Sequence, residues 1–268
     1  MTSADDVNPS EPRGARPAAD YPGLRGATPL RPAYYAAPRG SWGDWWTLLH
    51  PPYTAWNLSY VLIGASLAPH VMLSRLLATL LAFLLAVGFA AHALDELRGR
   101  PLGTRIPSRV LVATTVLGLG GAIVLGMIGL SRVGWTLIPF MALGPVFVIV
   151  YNLELFGGFF HNGVGFGLSW GSFTVLVGYV AQTGTLALSP LFAAAGAFAL
   201  INAQRQLSTR ARLIRRRTVT VEGLVTLTNG ETVLIDGPWI LAPLEMALRL
   251  MSWGVVLVAT ALAFSRLG

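Results

Sequence analysis

The chain contains no cysteine and no lysine, and charged residues make up only 12% of it. Without cysteine there are no disulfides, no thiolate metal sites and no thiol nucleophile, and the redox compartment is left undetermined. Without lysine no mechanism can pass through a lysine Schiff base. All 19 basic residues are arginine, a bias that fits genomic composition better than chemistry, given the abundant alanine, glycine and leucine. Also missing is a positively charged start followed by a short apolar core, so no cleaved signal peptide is expected.

What is present is apolar. Of 268 residues 54% are hydrophobic, with a mean hydropathy of +0.61. Crossing roughly 30 Å of hydrocarbon takes about 20 residues at about 1.5 Å per residue. Seven stretches meet that need: 53–70, 74–95, 108–130, 134–151, 164–182, 186–206 and 245–265. The expected fold class is an all-α polytopic membrane helix bundle. The net charge of +7 then reports orientation and contact with anionic lipid headgroups, and nucleic acid is not an expected partner.

Residues 1–43 are rich in proline, alanine and arginine without apolar periodicity, so a disordered tail is expected ahead of a transmembrane domain over 44–268. Trp42, Trp45 and Trp46 form an aromatic approach suited to the headgroup boundary. Arg98, Arg100, Arg105 and Arg109 follow the second stretch, and Arg205, Arg210, Arg212, Arg215, Arg216 and Arg217 follow the sixth. Only Arg75, Arg132 and Arg266 fall on the other side. The positive-inside rule therefore puts the N-terminus in the cytoplasm and the C-terminus outside, in what is expected to be a bacterial cell membrane. Between the last two stretches, residues 218–236 alternate polar and apolar around Asn229-Gly230, which predicts a small cytoplasmic hairpin with a two-residue turn.

Polar groups gather at the cytoplasmic ends of the even-numbered stretches. The first cluster is His92, Asp95, Glu96, Arg98 and Arg100; the second is Tyr151, Asn152 and Glu154, with His161 and Asn162 beyond; the third runs from Asn202 through Arg205 to Arg210. Each has a plain structural reading. His92 serves as an interhelical hydrogen bonder, Tyr179 and Gln182 as partners near the outer end, Arg215 to Arg217 as a lipid anchor, and Glu245 with Arg249 as a helix-stabilising pair.

Four segments in order carry a resemblance: LLHPPYTAWNLSYVLIGASLAP at 48–69, GRPLGTRIP at 99–107, FGLSWGSFTVLVGYVAQTG at 166–184, and INAQRQLSTR at 201–210. From Trp45 to Arg217 the chain resembles the UbiA superfamily of integral membrane prenyltransferases. The resemblance implies two aspartate-rich motifs holding magnesium on a prenyl diphosphate, whose ionisation gives a carbocation that an acceptor captures, and a tunnel for the isoprenoid. Here the positions matching the first motif are Ala91, His92, Asp95 and Gly99, and those matching the second are Gln206 and Arg210. Leu155 stands where a lysine is usual, and seven spans replace nine.

The expected site follows from that pattern. Asp95 and Glu96 are the candidate catalytic and metal-holding residues, although Mg2+ is doubtful because the second motif is absent. His92, Arg98, Arg100, Tyr151, Asn202, Arg205 and Arg210 are candidates for binding a polyprenyl phosphate or diphosphate in a cytoplasm-facing cavity, with guanidinium groups taking the place of metal. Prenyl transfer, an inactive lipid-binding or assembly scaffold, and less favoured a small-solute transporter are the functions weighed; no inverted repeat supports the last.

Overall fold

The computed structural model describes residues 31–267. The helices are α1 (Ser41–Leu48), α2 (Pro51–Ser66), α3 (Leu73–Leu97), α4 (Ser108–Val133), α5 (Trp135–Asn152), α6 (Gly163–Thr183), α7 (Leu188–Arg217) and α8 (Gly237–Leu267). Five of them, α3, α4, α5, α6 and α8, are long and apolar enough to cross a membrane, so this is an integral membrane protein. The other two expected spans are helical but differ in kind. α2 has 16 residues, about 24 Å at 1.5 Å per residue. In α7 the apolar run stops at Ile201, and the second half of its 30 residues carries the arginines.

α2 lies at the centre, packed chiefly against α6 and α8. Two glycines allow it. A Cβ on Gly64 would stand 2.0 Å from the Val175 carbonyl oxygen, and one on Gly178 would stand 2.4 Å from that of Val61. Without side chains at the crossing, backbone meets backbone, the usual way helices gain contact where lipid offers no hydrophobic drive. Trp56 and Tyr60 fill the space on either side and are fully buried.

Two π-helical segments interrupt the spans, Leu84–Ala91 in α3 and Gly167–Ser172 in α6. A π turn changes the phase of every later side chain and loosens carbonyls. The freed Trp170 carbonyl takes the Asn57 amide at 2.9 Å and the Thr174 hydroxyl at 3.3 Å. Both segments pack on small residues: Gly118 faces the Leu85 carbonyl, and Gly171 faces that of Ala197.

The predicted hairpin is present as β1 (Gly223–Thr226) and β2 (Thr232–Ile235), antiparallel, with Leu224 opposite Leu234. Its turn differs from expectation. Leu227 pairs with Glu231, the Gly230 amide donates to the Leu227 carbonyl, and Gly230 has φ +87°. That is a three-residue loop closed by a left-handed glycine, the next commonest hairpin after the two-residue form.

The expected disordered tail is corrected in its last part. Residues 1–30 lie outside the described residues, whereas 31–43 are packed in place. The Trp46 indole donates to the Tyr35 carbonyl, the Ala37 amide to Thr47 Oγ1, and Arg215 and Arg216 donate to the Arg31 and Pro32 carbonyls. Proline and alanine gave no periodic signal because this segment is held by its backbone and by Tyr34 and Tyr35.

Candidate functional site

The polar residues expected to converge lie at one end of the bundle, at the C-termini of α3, α5 and α7 and the N-termini of α2 and α6. At this arginine-rich end Tyr151 is the hub. It is buried, stacks on His161 with centroids 4.4 Å apart, and meets Trp170 edge-on at 5.8 Å. The Arg205 guanidinium lies beside its hydroxyl and 5.7 Å over the Phe166 ring. Arg98 closes the rim through an ion pair with Glu154 at 2.8 Å, both half-exposed.

Asp95 faces this space from α3 and makes no ion pair with any described residue. The charged groups nearest it are Arg212, Arg216 and Glu96. His92, one turn earlier, gives its Nδ1–H to the Gly88 carbonyl at 3.1 Å, and its ring centroid is 4.2 Å from that of His50. His50 gives its Nδ1–H to the Leu48 carbonyl at 2.7 Å. A carbonyl only accepts, so each imidazole holds its proton on Nδ1 and leaves Nε2 as an acceptor. Burial, and after it the neighbouring His92, keep the His50 imidazole well below its usual pKa range.

Three expected site residues are elsewhere engaged. Glu96 is 0% exposed, and its carboxylate accepts the Leu102 amide at 3.0 Å and both the amide and hydroxyl of Thr104 at 2.8 Å. One residue along a helix is a rotation of about 100°, so the neighbour of a site-facing Asp95 points into the loop at 98–107. Asp44 clamps the same loop through the Arg105 amide at 3.0 Å. Arg100, at φ +53°, is also loop structure, donating to the Ile106 carbonyl at 2.6 Å and to Ser108 Oγ at 2.7 Å. Arg210 is exposed on another face of α7.

The α7 face that does meet the site carries Arg205, Arg212 and Arg216, spaced seven and four apart, which is one helical stripe. Arg212 was read as an orientation charge and Arg216 as that and as part of a lipid anchor; helical phase counted from Arg205 is the signal that picks them out. Arg216 Nε donates to the Pro32 carbonyl at 2.9 Å, and Arg212 Nη2 to Thr209 Oγ1 at 3.1 Å. The gap between the 32–35 segment and this stripe is about 20 Å³, room for about one water. Asn202 takes a structural position, with its amide on the Phe198 carbonyl at 3.0 Å and packed over Gly163 and Gly167. The expected Glu245–Arg249 pair is replaced: Glu245 holds Arg215 in a buried two-pronged ion pair, and Arg249 lies 5.2 Å over the Tyr34 ring. Gln182 likewise bonds the Met72 amide and not Tyr179.

Beneath the polar layer is an apolar cavity of about 340 Å³ between α3, α4, α5 and α6. Trp170 and Val148 line its inner end, Phe140, Phe147 and Phe173 its middle, and Arg75 its far end. Along α3 the lining runs from Ser74 to Val87, about 20 Å at about 1.5 Å per residue. Ser169 Oγ, in a residue 1% exposed, lines it without a hydrogen-bond partner.

A magnesium site of the kind the resemblance implies does not fit these residues. Such a site takes several hard oxygen ligands, and with Glu96 committed to Leu102 and Thr104, Asp95 is left as the one expected carboxylate facing the site. No three His, Asp or Glu residues come together among the described residues. No family model matches the chain, and no curated protein or solved structure matches it.

Proposed function

We propose that this protein is a divergent UbiA-like membrane protein that binds the phosphate or diphosphate of a polyprenyl lipid at its arginine-rich end. Arg205 and Arg212 take the head group, Tyr151 and His161 border it, and the isoprenoid lies in the apolar cavity. The observation that carries the reading is the position of Trp170. One side of this indole lines the cavity and another meets Tyr151, whose hydroxyl lies beside Arg205. A cationic seat and an apolar channel therefore share a wall, which is what an anionic head on a long hydrocarbon chain requires.

Guanidinium groups bind phosphate oxygens in paired, charge-assisted hydrogen bonds without an intervening metal. The orientation with this end in the cytoplasm follows from the arginine distribution. Of the two functions that share such a site, a metal-free lipid binder or scaffold is favoured over a transferase. Glu96, the residue that would have completed a carboxylate pair with Asp95, holds a loop. Titration of the purified protein with a long-chain polyprenyl diphosphate tests the seat, and the reading requires that Arg205→Ala weaken binding by tenfold or more.

A further inference from the structure

At the opposite end of the same cavity stands an arginine with no counter-ion among the described residues. Arg75 lines the cavity wall. Its Nη1 donates to the Gln182 carbonyl at 2.7 Å and its Nη2 to the Arg132 carbonyl, so the side chain is pinned across the C-terminal ends of α6 and α4. Nε is buried and has no partner. Beside it Gln182, 5% exposed, gives Oε1 to the Met72 amide at 2.8 Å, and its Nε2 is also buried without a partner.

Every described carboxylate lies elsewhere, at positions 44, 95, 96, 154 and between 222 and 245, all toward the arginine-rich end. The ion pairs among the described residues do not include Arg75. Carbonyls satisfy two of its N–H groups at a partly buried position but leave the charge uncompensated, so an anion reaching it from the cavity side gains a charge-assisted contact. A guanidinium lining an apolar volume calls for a group that only accepts, and that volume calls for a hydrocarbon chain attached to the group.

We infer that this end of the cavity is a second lipid seat, taking the anionic oxygens of a single-chain amphiphile, a carboxylate or a phosphate, on Arg75. The chain lies along Phe140, Met141 and Phe173. The inference does not rest on the polyprenyl reading: the two head-group seats are at opposite ends and respond to different substitutions, and the two chains compete for the one cavity.

The test uses the full chain in a mild detergent and three C16 probes, palmitate, hexadecyl phosphate and hexadecanol, with binding followed by calorimetry. Wild type is expected to bind at least one anionic probe tenfold or more tightly than hexadecanol, and the stronger anion identifies the headgroup chemistry. Arg75→Gln removes the cation but also two helix-end contacts, so Gln182→Glu is the decisive variant. It keeps the oxygen that Met72 uses and supplies Arg75 with an internal carboxylate, and the anion preference is expected to vanish while the thermal transition is kept. Ala122→Phe, which fills the cavity, is expected to abolish binding of all three probes. Equal binding of hexadecanol and the anions, or an anion preference that survives Gln182→Glu, overturns the inference. Loss of diphosphate binding in Arg205→Ala bears only on the other end.

Discussion

Glu96 grips Thr104 twice, accepting its backbone amide and its hydroxyl on one carboxylate oxygen, both at 2.8 Å, while the other oxygen takes the Leu102 amide at 3.0 Å. A fully buried carboxylate with three donors is a structural element of the loop after α3. Glu96→Ala leaves those donors unmet and is expected to cost about 3 kcal/mol or more, whereas Thr104→Val removes one hydroxyl bond and costs about 1 kcal/mol. Thermal unfolding in detergent measures both. If Glu96→Ala unfolds like wild type, the carboxylate is free for other work.

The stripe on α7 separates two neighbouring arginines. Arg212→Ala removes a guanidinium from the proposed seat and is expected to weaken diphosphate binding tenfold or more, since a hydrogen bond to a charged group is worth about 1.5–3 kcal/mol. Arg210→Ala, about 140° round the helix from Arg205 at about 100° per residue, is expected to change it less than twofold. Equal effects would mean that the seat is a diffuse field and not a built site.

Close packing between α6 and α7 sets the position of Asn202 and Arg205. A Cβ at Gly167 would come within 2.4 Å of Asn202 Nδ2 and 2.5 Å of the Phe198 ring. Gly167→Ala is therefore expected to destabilise by about 1–3 kcal/mol and to weaken head-group binding by moving Arg205. Gly120→Ala on α4, where a Cβ meets nothing within 4 Å, is the neutral comparison in the same unfolding assay.

The buried His50 makes stability depend on pH in a definite direction. Its folded-state pKa is depressed below the ordinary value of 6.5, so below that value the unfolded chain binds the proton more readily. Stability is expected to be full above about pH 6.5 and to fall as the pH drops below it. His50→Asn, which tolerates the left-handed backbone at φ +47°, is expected to flatten that fall. An unchanged slope in the variant would assign the acid sensitivity to other groups.

Much of the architecture was legible in the sequence because hydrophobic run length fixes helices in a membrane protein, and each of the seven apolar stretches is helical. The hairpin was legible from Asn229-Gly230, but its extra residue was not, because Gly230 suits either turn. Of the expected site residues, Tyr151 and Arg205 lie side by side, whereas His92 packs on His50. Glu96 and Arg210 stand on helices beside residues that face the site, and helical phase, about 100° per residue, turns them elsewhere; Arg100 lies beyond the helix end and is taken up by the loop it helps to hold. The 31–43 segment was missed because it docks through backbone carbonyls, which no side-chain pattern records. The cavity below Tyr151 is lined in part by the two π segments, through Ala86, Val87, Ser169 and Trp170, whose irregular phase no periodicity reveals.

The most direct test of the account is a titration of the purified protein with a long-chain polyprenyl diphosphate, with magnesium and with a chelator, in wild type and in Asp95→Asn. A metal-free guanidinium seat predicts the same affinity within about twofold in all four conditions, with loss in the Arg205→Ala, Arg212→Ala double variant. Binding that requires magnesium and fails in Asp95→Asn would contradict it, and would show that Asp95 still builds a metal centre.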